Sequence, residues 1–377
     1  IYRVGGMLDA GFVGQITYTI SLDQVYDELD IHFSFDKRLY SESDVTPELI
    51  DRLQTLCTAK YGAPTYPVEE FRQTILHEMK TEIHTMAELN DNFIGCIHRQ
   101  LTDRHMLYTK EFTSDGCLAQ DTFSGVLKVT VLVFNVLLDN TQYTLTVSGH
   151  PVGQGVIAPN FNLMDTVKTA AGNAGASNAA GSADNSCDAK SAPASAVATA
   201  GSSGVSGAGS AATAGDSSTT GSSSAGNTVT ASTRFKRLEL HNHTVESDGS
   251  LTCQELTEYL AADHVDAFAI TDHNTTSGQK KIEQLLEEKH YPISLIRGME
   301  YTTYFGHILC LNLAKYVPWN SIDQHRPELL FEAAREKGAL VGIAHPFSYG
   351  DPFARGCRFE MTVSDYSKVD FIEIFNN

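Results

Sequence analysis

The chain has 377 residues, 42% of them hydrophobic, which suits two or three folded domains and argues against a disordered protein. Its formal net charge of −19 repels phosphate backbones and anionic membranes, so no stably bound nucleic acid is expected unless bound cations change the local sign. No apolar run approaches the roughly 18 to 20 residues that span a bilayer, and no basic-then-apolar leader follows Ile1, so neither membrane insertion nor export is expected.

Composition divides the chain into residues 1–168, 169–232 and 233–377. In the first part, Gln15 to Ile20 and Asp30 to Phe35 alternate polar and apolar residues and read as half-buried strands. Pro47 to Lys60 and Val68 to Leu89 have helical spacing, with Phe71, Ile75 and Met79 on one face. Asn90 to Met106 carries His98, Arg99, Arg104 and His105. These side chains would either line a ligand groove or sit solvated or satisfied in a core, and the second reading is preferred. Leu127 to Leu138, Asp139-Asn140 and Tyr143 to Val147 read as strand, turn and strand. The expectation is a mainly-β, sandwich-like accessory domain with a helical insertion and no assigned chemistry. Residues 169–232 are dominated by Gly, Ala, Ser, Thr and Asn, with too little apolar surface to offset ordering entropy, and are expected to be a flexible linker.

Strands and helices then alternate. Leu238 to Leu240 is a short strand, and Thr252 with Glu255 forms a capping box that opens a helix burying Leu256, Tyr259 and Leu260. Ala267 to Ile270 is a strand, Ser277 to Lys289 a helix, and Ile293 to Met299 and His307 to Leu313 are strands. Pro327 to Lys337 is a helix closed by Gly338; Leu340 to Ala344 and Phe371 to Phe375 complete the series. This is an α/β pattern, which suits a parallel barrel better than an open sheet. The seven cysteines stand singly, without a C-x-x-C pair, which excludes a zinc-finger or disulfide scaffold and suits reduced thiols in a cytoplasm.

The candidate chemistry lies where these strands end. His241 and His243 stand two apart on an extended segment and project to one side. Asp248 follows in a Ser-Asp-Gly turn, Asp272 and His273 follow the second strand, and Glu300 the third. His307 begins the next strand and His345 ends the one after. Imidazoles and carboxylates without cysteine suit Zn, Mn or Fe, whose bound water is acidified toward hydroxide near neutral pH. Taken singly, each residue has a plainer role: a lone histidine is usually structural, Asp248 would shape a turn, and Asp272 would cap a helix. The ordered series at successive strand ends favours a metal centre.

The segments LHNHTVESDG, AITDHNTTSG, GMEYTTYFGHIL and GIAHPF resemble the successive motifs of the PHP (polymerase and histidinol phosphatase) superfamily. Within it they are most similar to CehA/McbA-like metallohydrolases, which place a β-rich domain ahead of the PHP domain. The motif resemblance covers roughly residues 236–377. It implies a distorted (β/α)7 barrel holding up to three divalent ions. His241, His243 and Glu300 would hold the first, Asp248 and His273 the second, and Glu300 would bridge to a third completed by His307 and His345. The family's late Asp-x-His is not found in the expected place before Asn377, so the domain is expected to be incomplete at its C-terminus. Asp30-Ile31-His32 and Asp323-Gln324-His325 stand in the wrong places to replace it. The implied activity is hydrolysis of a small-molecule phosphoester by a metal-bound water held by His241, His243, Asp248, His273 and Glu300. Arg297, Arg355 and Arg358 are the candidate phosphate contacts. The alternatives are carbamate or carboxylic ester hydrolysis at the same centre, or a PHP-like module that binds metal or ligand without turnover.

Overall fold

Alternating residues between Gly14 and Phe35 build a strand of 22 residues, β2, that serves two sets of partners. The computed structural model describes residues 1–62, 67–137, 140–153 and 236–374; the expected linker at 169–232 and residue 139 of the expected turn lie outside these. The first half of β2, Gly14–Leu22, pairs with β6 (Phe123–Asn135), and its second half, from Glu28, pairs with β7 (Thr141–Pro151) and β5 (Asp103–Tyr108). With β1 (Tyr2–Leu8), β3 (Glu82–Leu89) and β4 (Asn92–Ile97) these make one seven-stranded antiparallel sheet in the order β1-β7-β2-β6-β3-β4, with β5 on β2. The sandwich-like part is therefore a single sheet whose two halves share β2. Alternate residues such as Ile31, Phe33, Val129, Val131 and Leu145 pack into one core.

Two helices are inserted between β2 and β3. Thr46 caps α1 (Pro47–Tyr61) by accepting from the Leu49 amide, and Pro47 stands at its first turn. Helix α2 runs only from Val68 to Glu78, burying Phe71 and Ile75. The helix expected to reach Leu89 is corrected here: Met79 is already extended, and Glu82–Leu89 is strand β3. Thr81, Ile83 and Thr85 supply β-branched side chains at alternate positions, and both faces of the strand are covered, which erases the polar–apolar alternation of a half-buried strand.

The C-terminal half is built on a six-stranded sheet in the order β13-β12-β11-β10-β9-β8. Its strands are β8 (Leu238–Glu239), β9 (Ala267–Ile270), β10 (Ser294–Thr303), β11 (Gly306–Leu311), β12 (Leu340–Ile343) and β13 (Phe371–Ile372). The helices are α3 (Cys253–Ala262), α4 (Ser277–Lys289) and α5 (Glu328–Glu336). The capping box is formed: Thr252 accepts from the Glu255 amide while Glu255 accepts from the Thr252 amide. β8, β9 and β10 run parallel, as do β12 and β13, but β10 and β11 form a tight hairpin and β11 is antiparallel to both neighbours. The expectation of an all-parallel series fails there, because only Tyr304 and Phe305 separate the two strands, too few for a parallel crossover. None of the helices among the described residues is long and apolar enough to cross a membrane.

The described parts of both halves belong to one compact unit. The outer face of the N-terminal sheet carries Met86, Cys96, Leu132 and Phe134, which share a core with Met299, Tyr301, Ile308, Trp319 and Phe331. Phe134 has no exposed surface and its ring lies 4.8 Å from that of Tyr304. Phe134→Ala is expected to destabilise the chain by about 3–5 kcal/mol. Because the core is shared, intrinsic fluorescence and circular dichroism should lose signal in one common transition; two separated transitions with only the N-terminal one shifted would show the halves to be independent.

Candidate metal centre

The parallel strands β8, β9, β10, β12 and β13 all point one way, so the segments leaving them gather at one edge of the sheet. His241 and His243 follow β8, His273 follows β9, His345 follows β12 and Glu373 follows β13, while Glu300 lies late in β10. The hairpin explains His307. Because β11 is antiparallel its beginning lies at this edge, with His307 paired to Thr302 and Glu300 paired to Leu309. Glu300, Thr302 and His307 therefore project to the same face.

Glu300 is fully buried, and five imidazoles meet its carboxylate. Its Oε2 lies 2.9 Å from His241 Nε2, 3.2 Å from His243 Nε2 and 3.3 Å from His273 Nδ1. Its Oε1 lies 2.9 Å from His307 Nδ1 and 2.9 Å from His345 Nε2. His241 Nε2 and His243 Nε2 are themselves 3.0 Å apart. Burial alone would raise the Glu300 pKa, but the charges of His241, His273 and His307 hold it well below the usual carboxylate range. Burial opposes protonation of His241 too, and Glu300 and Glu373 overcome it, raising that histidine well above its ordinary value.

Acceptors on the far side of two rings fix their orientation. His241 Nδ1 lies 3.0 Å from Glu373 Oε1, and His345 Nδ1 lies 3.2 Å from the Cys357 carbonyl oxygen. Both outer partners only accept, so each neutral ring carries its proton on Nδ1 and turns the Nε2 lone pair toward Glu300, another acceptor. Two lone pairs then face one another unless the ring is protonated or a cation lies between them. The spacing suits one: donor atoms about 2.1 Å from a common ion and about 90 to 120° apart are separated by about 3.0–3.6 Å. Asp248 Oδ2 is buried without a hydrogen-bond partner, a further mark of an atom suited to a cation. The residues present fit divalent cations.

Asp248 is held to this group by longer contacts. Its Oδ2 lies 3.6 Å from His273 Nε2 and 3.5 Å from His98 Nε2. Burial would raise its pKa, but the charges of His273 and His98 hold it well below the carboxylate range. Burial, with His98 beside it, pushes His273 well below its ordinary value. Asp272 stands outside the ligand group. It accepts from the Thr244 amide (2.7 Å), the Thr244 hydroxyl (2.9 Å) and the Ser247 hydroxyl (2.7 Å), tying the His241–His243 segment to β9. Burial raises its pKa to about 6.

The structure thus brings His241, His243, Asp248, His273, Glu300, His307 and His345 together. It gives the three arginines partners within the chain. Arg355 donates to Asp351 (3.1 Å), Arg358 lies over the Tyr61 ring (5.3 Å), and Arg297 donates to Glu283. Two residues escaped sequence reasoning. Glu373 follows a strand of only two residues, with no motif around it. His98 was weighed as solvated or core-satisfied, yet it stacks at 4.1 Å on His273.

Residues 1–151 match the model of a family of unknown function, DUF6669. A 5'-3' exoribonuclease of Haemophilus influenzae is 36% identical over 141 residues, covering 35% of this chain and 50% of that protein. An uncharacterized protein of Methanocaldococcus jannaschii is 30% identical over 112 residues, covering 30% of this chain and 58% of that protein. A two-domain protein of Bacteroides vulgatus, described as containing a predicted PHP-like metal-dependent phosphoesterase, shares 22% identity over 31% of this chain and 38% of its own, with a TM-score of 0.26. The chain therefore spans about half the length of the curated relatives described here.

Proposed function

We propose that this centre holds divalent cations and hydrolyses phosphoesters. The observation that carries the reading is one buried carboxylate, Glu300, met by five imidazole nitrogens within 3.3 Å. His241, His243 and Glu300 would hold one ion, Asp248 and His273 a second, and Glu300, His307 and His345 a third. When bound, such ions polarise a phosphoryl oxygen and acidify water. The chain supplies the orientation. Glu373 and the Cys357 carbonyl keep the Nδ1 protons of His241 and His345, which leaves both Nε2 atoms free to coordinate. In this reading the six-stranded sheet is part of a distorted (β/α)7 barrel of the PHP type, in the CehA/McbA-like branch.

The likeness to a named exoribonuclease supports a phosphoester and brings RNA ends beside the small molecules expected from sequence. Cations at the centre would offset the net charge of −19 that opposes such substrates. Carbamate or carboxylic ester cleavage is the second reading. It draws on the engagement of Arg355 with Asp351 and of Arg358 with Tyr61, which leaves these guanidiniums less available to a phosphate.

Two measurements test this. The full chain with Mn(II) should release phosphate or nucleotide from a panel of nucleotides, sugar phosphates and a 5'-phosphorylated oligoribonucleotide. Chelation should abolish turnover, Mn(II) should restore it, and Glu300→Gln should lack it. Turnover of carbamates or carboxylic esters alone would establish the second reading, and turnover of nothing would sink both. Glu373→Gln should weaken Mn(II) binding by about 10- to 100-fold in calorimetric titration; unchanged affinity would remove Glu373 from an orienting role.

A further inference from the structure

We propose that the N-terminal sheet supplies a metal ligand, His98, which joins Asp248 and His273 in the second cation site. This rests on the metal reading above. A divalent site with an open position ordinarily uses at least three protein ligands, and His98 stands where it can serve as one beside Asp248 and His273. Ligand atoms of His98, Asp248 and His273 all lie within 4.8 Å of one another. The His98 and Asp248 side chains are each only 2% exposed.

The contacts are those of ligands rather than of a satisfied core histidine. His98 Nε2 stands 3.5 Å and His273 Nε2 3.6 Å from Asp248 Oδ2, too long or poorly directed for hydrogen bonds, and the oxygen has no other hydrogen-bond partner. Those separations fall within the range for donors sharing one ion. A buried carboxylate oxygen left without a hydrogen bond is destabilising, and a shared cation removes that cost.

The position of His98 is enforced from both sides. It follows β4, where Thr85 pairs with Ile97, so the next pair places His98 beside His84, their rings 4.1 Å apart. The adjoining Arg99 donates to the Gly249 carbonyl of the Ser-Asp-Gly turn (2.9 Å). On the other flank the Gly116 amide donates to Glu246 (3.0 Å) and its carbonyl accepts from the Thr275 hydroxyl (2.9 Å). Gly116 has φ +79°, and a Cβ there would stand 2.3 Å from the Cys96 carbonyl oxygen, so this close seating requires glycine. The N-terminal half is thereby registered against the turn that carries Asp248.

Co(II) titration of the full chain tests the assignment. His98→Ala should bind one cobalt ion fewer than the unaltered chain. His98→Cys should keep the full number and gain a thiolate-to-cobalt charge-transfer band that the unaltered chain lacks, a signature that a purely structural residue cannot produce. If the unaltered chain binds no cobalt, the metal reading fails and this inference falls with it. Equal cobalt content in all three chains with no new band would overturn the role of His98 alone. Should the variants misfold, crystals of the unaltered chain loaded with Mn(II) decide the matter. An anomalous peak about 2.0–2.3 Å from His98 Nε2 supports the assignment, and a manganese-occupied centre without that peak refutes it.

Discussion

A carboxylate removed from water must be met by positive charge, and Glu300 has no exposed surface. Neutral imidazoles cannot meet this need throughout the group by hydrogen bonding, because in that form His241 and His345 would keep their one proton on the far side. The buried charge is therefore stable only with protonated rings or bound cations. Burial keeps His273 and His307 below their ordinary values, while Glu300 raises His241, His243 and His345 above theirs, so protons on these crowded rings and bound cations are alternative ways to meet the same charge. Divalent cations at the proposed centre would meet it without crowding protons onto neighbouring rings.

The edge of the sheet gathers these groups economically. Parallel strands deliver their following segments to one side, so the segments after β8, β9, β12 and β13 converge at one edge. The β10–β11 hairpin adds what a parallel strand could not: Glu300 and His307 come from neighbouring strands yet share a face through antiparallel register. Beneath them, Asp272 fastens the first histidine segment to β9, and Asn274 fastens the next by donating to the Thr302 carbonyl (3.0 Å) and accepting from the Thr302 amide (3.1 Å).

Much of the C-terminal half was legible because its signals are local. Thr252 and Glu255 announce their helix within four residues, and each motif histidine sits beside the short apolar strand that places it. The misjudged regions depended on distant contacts. Residues 82–89 looked helical because both faces of β3 are covered, one by the core of its own sheet through Ile83 and the other by the C-terminal half through Met86. The same docking turns His98 from an ordinary histidine into a neighbour of Asp248, and no spacing within residues 90–106 carries that information. Glu373 was hidden for a related reason, since its value lies in reaching His241 across the sheet.

The core shared through Leu132 and Phe134 also bears on how the chain is made. The N-terminal sheet leaves the ribosome first, and its strands can pair once Pro151 has emerged. Its outer face then presents Met86, Cys96, Leu132 and Phe134 to water until the chain has been extended beyond Trp319 and Phe331, their eventual neighbours. Nascent chains in that interval hold an apolar surface without the cover that the described C-terminal residues give it, the condition under which chains aggregate or engage holdase chaperones. Slow decoding between residues 154 and 319 would lengthen this exposure, so the yield of folded protein is coupled to the pace of translation across the segment between the two halves.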